Sequence, residues 1–84
     1  MYDGKYYLEN QDATGADRIF INESDANRRI YYNGNDWVLV NPGNYVMAYA
    51  MNGDGNETIE EICNLTWEGY GEISTKFTIT PLYQ

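Results

Sequence analysis

The chain has 84 residues, 43% of them hydrophobic and 15% aromatic, enough for one small core and no second domain, so residues 1–84 are read as a single domain. Thirteen acidic residues against five basic ones give a formal net charge of −8, which favours solubility and argues against direct binding to nucleic acid or to an anionic membrane. Histidine is absent and Cys63 is the lone cysteine, which excludes an intramolecular disulfide, a cysteine cluster for metal and the commonest general base.

From the N-terminus, MYDGKYYLEN has no basic segment followed by an apolar run and is not read as a secretory signal. No stretch approaches the length of a membrane span, and the expected location is cytoplasmic, that of a host cell if the protein is viral. Lys5 to Glu9 is β-prone, and Arg18 to Asn22 alternates, with Ile19 and Ile21 on one side and Phe20 on the other. The two are expected to pair across the polar loop that separates them. Glu23 to Arg29 reads as a turn or a single helical turn capped by Asn22 or Ser24.

The clearest pattern lies between residues 30 and 51. Asn33-Gly34-Asn35-Asp36 and Asn41-Pro42-Gly43-Asn44 are turn signals separating three apolar runs, Ile30 to Tyr32, Trp37 to Val40 and Tyr45 to Met51. A three-stranded antiparallel meander is expected. Both faces of its last strand are apolar, which places that strand centrally in the sheet.

Asn52 to Asn56 has the alternating oxygen ligands of a calcium loop, but position six is Glu57 instead of glycine and position twelve is Cys63 instead of glutamate. A plain loop is expected, with no metal and no cofactor. Over residues 57–67 the helical template has fewer mismatches than the strand template: Ile59, Ile62, Cys63 and Trp67 share a face, with Glu57, Glu60, Glu61 and Asn64 outward. Thr58 and Glu61 form a capping box that would start this helix. After a turn at Glu68 to Gly71, Glu72 to Thr80 alternates as a one-face-buried strand that Pro81 ends. The expected fold is α+β, a small antiparallel sheet of five or six strands with one short acidic helix, an all-β sandwich being the alternative.

Charge is unevenly placed. Between Arg29 and Lys76 no basic residue occurs, whereas Asp36, Asp54, Glu57, Glu60, Glu61, Glu68 and Glu72 all fall there. The exposed pair Glu60 and Glu61 lacks the burial that tunes carboxylates for acid and base catalysis, and Cys63 has no histidine to activate it, so no enzymatic activity is expected. Cys63 reads as a small core residue. Acids at helical spacings of three and four lie about 5 to 6 Å apart, near the phosphate spacing of a nucleic-acid strand.

The expectation is therefore a non-enzymatic acidic binding protein. In this reading Asp54, Glu57, Glu60, Glu61, Glu68 and Glu72 bind a basic protein surface, that of a nucleic-acid-processing enzyme, by charge mimicry, as a phage or mobile-element inhibitor would. The alternative expectation is a structural component of a virus particle or other assembly, a decoration or tail protein, in which tyrosines and apolar sheet edges make the contacts.

Overall fold

The computed structural model describes residues 4–41, 43, 45–51, 53–69 and 79–81. Six strands follow one another as an antiparallel meander: β1 (Gly4–Leu8), β2 (Ile19–Asn22), β3 (Arg29–Tyr32), β4 (Trp37–Val40), β5 (Val46–Ala50) and β6 (Trp67–Gly69). A short helix, α1 (Ile59–Cys63), lies between β5 and β6 in the chain, and β7 (Ile79–Pro81) closes the far edge in the order β6-β5-β4-β3-β2-β1-β7. Among the described residues the strands form a single, mostly antiparallel sheet with one short helix, compatible with the expected α+β class and, being sheet-rich, with an all-β one. β7 departs from expectation by pairing parallel to β1, with Gly4 opposite Ile79 and Tyr6 opposite Pro81. The rest of the expected strand from Glu72 lies outside the described residues.

Alternation decides which side chains enter the core. Phe20, Ile30, Leu39 and Ala48 are successive cross-strand partners on one face, and Trp37 lies between Tyr32 and Ala50 on that same face. With Tyr6, Ile62 and Trp67 these buried residues form the main cluster, against which Ile59 and Cys63 of α1 pack. Each large side chain buried there contributes about 1.5 to 3 kcal/mol. The opposite face is also apolar, since Ile21, Val38 and Val40 are buried on it. In β5 a bulge shifts the register between Leu39 and Val40, so Val40 meets Val46 while Leu39 meets Ala48, and the strict alternation expected from Tyr45 to Met51 is broken. β5 is an inner strand beside the edge strand β6, two places from the middle strand β3.

The turns are built by asparagine side chains. Asn33 Oδ1 accepts from the amides of Asn35 and Asp36, both at 2.9 Å, and Asn22 Oδ1 accepts from Ser24 and Asp25 at 2.8 and 3.1 Å. Each side chain satisfies amides that the strand ladder leaves unpaired. Glu23 to Arg28 is accordingly a turn and not a helical turn.

α1 starts where the sequence says and stops earlier. The Thr58 hydroxyl accepts from the Glu61 amide at 3.1 Å while the Glu61 carboxylate accepts from the Thr58 amide at 2.9 Å, completing the capping box. The helix ends at Cys63, because Asn64 and Leu65 tighten back onto carbonyls of the last turn. Trp67 therefore begins β6 instead of extending the helical face. Its indole still meets the helix, donating to the Ile62 carbonyl at 3.0 Å.

Candidate functional site

The acidic segment lies in the loop after β5 and in α1. Its backbone is tied down by two charged side chains of opposite sign. The Glu57 carboxylate accepts from the Trp37 indole N–H at 2.7 Å, from the Asp54 amide at 2.8 Å and from the Gly55 amide at 3.0 Å. The Arg18 guanidinium, which enters from the 3-10 turn at Gly15–Asp17, donates to the carbonyls of Gly15 at 2.9 Å, Gly55 at 3.5 Å and Glu57. It also lies over the rings of Phe20 and Trp37, 5.6 and 5.7 Å from their centroids, a placement that favours a cation.

Two glycines let the loop come this close. A Cβ on Gly53 would stand 2.7 Å from Trp37 Cδ1. Gly55 has φ +92°, and a Cβ there would press on Tyr32 and Ala16 at 3.1 and 3.2 Å. Asp54 Oδ1 accepts from the Asn56 amide at 2.9 Å, which closes the turn between them.

This loop has the polarity opposite to that of a calcium loop. Its amides point at a carboxylate, whereas a calcium loop turns oxygens toward a cation. Among the described residues no group of three Cys, Asp or Glu side chains converges as metal ligands would. Burial works against the charged form of Glu57, but hydrogen bonds from the Trp37 indole and from the Asp54, Glu57 and Gly55 backbone outweigh it, bringing its pKa down to about 2.

The expected recognition residues fall into separate groups. Asp54, Glu60 and Glu61 are exposed on the continuous segment from the loop into α1. Glu57 is half-buried and engaged as above, which corrects its expected outward position: it precedes the helix and has an indole and two amides to bind. Because Glu57 precedes the helix and its carboxylate is engaged, the helical three-and-four spacing that resembled a phosphate backbone does not form. Glu68 is in β6 opposite Tyr49, whose hydroxyl donates to it at 2.9 Å, so it points to the sheet face away from the main cluster. Glu72 lies outside the described residues. Cys63 is half-buried, and burial together with the negative charge of Glu60 pushes its thiol up to about 11, so it is protonated at neutral pH.

Arg18 and Trp37 are the residues that sequence reasoning missed. The one available signal was Gly53-Asp54-Gly55, a tight glycine loop whose amides need an acceptor. Comparisons with protein-family models, with curated proteins and with solved structures give no match. Among the described residues no helix is long and apolar enough to cross a membrane.

Proposed function

We propose that this chain is a non-enzymatic binding protein whose acidic segment occupies a cationic, nucleic-acid-binding surface of another protein, as a phage or mobile-element inhibitor would. The observation that carries the reading is the exposure of Asp54, Glu60 and Glu61 on one short, internally fastened segment, while Arg18, which reaches that segment, donates to its carbonyls. A segment already ordered before binding gives up less conformational entropy when it docks.

The test is capture on the immobilised protein from a bacterial lysate, followed by release with salt and, separately, with duplex DNA. Mimicry predicts that nucleic-acid-binding proteins are held at 0.1 M salt and leave as the Debye length shrinks from about 10 Å toward 3 Å at 1 M. Duplex DNA should displace the same proteins at low salt. Captured proteins that DNA leaves in place would overturn the reading.

A second reading, an assembly component, is favoured by the apolar residues exposed around β5: Tyr45 at 71%, Met51 at 39% and Val46 at 37%. It predicts an oligomer whose mass in solution does not change with salt.

A further inference from the structure

Glu57 belongs to the acidic segment by sequence and to the core by its bonds. Trp37, its main partner, has no exposed surface and is fixed in β4 by Tyr32 and Ala50 on either side, with the Phe20 and Tyr32 rings against it edge-on at 6.0 and 5.4 Å. Glu57 takes N–H groups and Arg18 takes carbonyls, so both polarities of the loop backbone are anchored around one indole ring. Thr58, the next residue, caps α1, and so the links from Asp54 to Glu61 run without a break into the helix carrying Glu60 and Glu61.

We propose that Glu57 is a positioning residue: with Arg18 it clamps residues 53–58 to Trp37, so that Asp54, Glu60 and Glu61 are presented in one fixed arrangement to a cationic partner. The presentation step rests on the mimicry reading, whereas the clamp does not. The charge of Glu57 is spent inside the fold, and its contribution to binding passes through the geometry of its neighbours. Without the clamp the same acids would belong to a loop with many arrangements, and docking would have to order it.

The test uses the full chain and three variants, Glu57→Ala, Glu57→Gln and Glu60→Gln, with hydrogen exchange followed by NMR and immobilised polylysine as the cationic probe. In Glu57→Ala the Trp37 indole N–H and the Asp54 and Gly55 amides should exchange about tenfold faster or more, with the Ile30 and Leu39 amides unchanged. Glu57→Gln keeps one acceptor oxygen and should restore the protection of the Trp37 indole N–H and the Gly55 amide, which share Oε1, but not that of the Asp54 amide, which Oε2 accepts, while Glu60→Gln should leave all these groups as in the parent. On polylysine, Glu57→Ala should elute at lower salt than Glu57→Gln although the two have lost the same charge. Unchanged exchange in Glu57→Ala would overturn the clamp. Equal acceleration of the Ile30 and Leu39 amides would make Glu57 a general stability residue, which contradicts positioning. If the exchange results hold but Glu57→Ala and Glu57→Gln elute together, the presentation step is wrong. If every variant also elutes with the parent, it is the mimicry reading that has failed.

Discussion

The Glu57 carboxylate accepts the indole N–H of Trp37 at 2.7 Å across twenty residues of chain, joining the acidic loop to the centre of the sheet. The bond has a consequence for pH dependence. With its pKa lowered from 4.5 to about 2, the folded form holds the charged carboxylate more tightly than the unfolded chain does. Its stabilisation is complete above about pH 4.5 and is lost as pH falls toward 2. Denaturant midpoints at pH 5, 4, 3 and 2 should fall more steeply for the parent than for Glu57→Gln. Parallel curves would show that the carboxylate is not held as described.

Gly53 should tolerate a side chain less well than the turn glycine Gly34 does. Gly53→Ala sets a methyl 2.7 Å from a buried, rigid indole carbon, and either the loop or Trp37 must shift. The expected loss is about 2 to 3 kcal/mol. Gly34→Ala is the comparison: unlike Gly53 it sits at positive φ, +102°, but it meets no atom within 4 Å, so about 1 kcal/mol of backbone strain is expected. Chemical denaturation of the two variants measures the order, and a Gly34→Ala loss equal to or above that of Gly53→Ala would contradict the close approach.

Cys63 should react slowly. A thiol pushed up to about 11 is almost wholly protonated at neutral pH, and the group is half-buried. Modification by iodoacetamide at pH 7.5 should be on the order of a hundredfold slower than for an unstructured cysteine peptide. Glu60→Gln should raise the rate, because it removes the neighbouring charge that opposes the thiolate. A parent rate matching the peptide would place the thiol in solvent.

The parts of the fold visible in the sequence are those set by local chemistry. β2 through β5 follow from alternation between turn signals, and the start of α1 follows from Thr58 and Glu61. The parallel pairing of β7 with β1 is not visible, because it joins Gly4 to Ile79 and no local period encodes which edge a distant strand takes. Trp67 fits a helical face by spacing, yet reaches Ile62 from a strand; the contact is legible and the backbone that makes it is not. In the site, the outward placement of Glu60 and Glu61 follows from helical spacing, with Ile59, Ile62 and Cys63 on the other face. Glu57 cannot be told from Glu60 by spacing, since what separates them is an indole N–H in β4 and two loop amides.

Charge reversal tests the central claim most directly. Asp54→Lys, Glu60→Lys and Glu61→Lys combined leave Glu57 in place, and all three positions are exposed. Glu61→Lys gives up the carboxylate half of the capping box, and the helix should lose about 1 kcal/mol or less on that account. The reference variant combines Glu9→Lys with Asp12→Lys, which are exposed in and near the loop after β1 and change the net charge without touching the acidic segment. Binding constants for a captured nucleic-acid-binding protein would be measured by calorimetry at low salt, with circular dichroism verifying the fold of each variant. The account predicts that the triple variant, folded, loses binding altogether while the reference variant weakens it much less. A folded triple variant that binds as tightly as the parent would contradict the account and leave the assembly reading in its place.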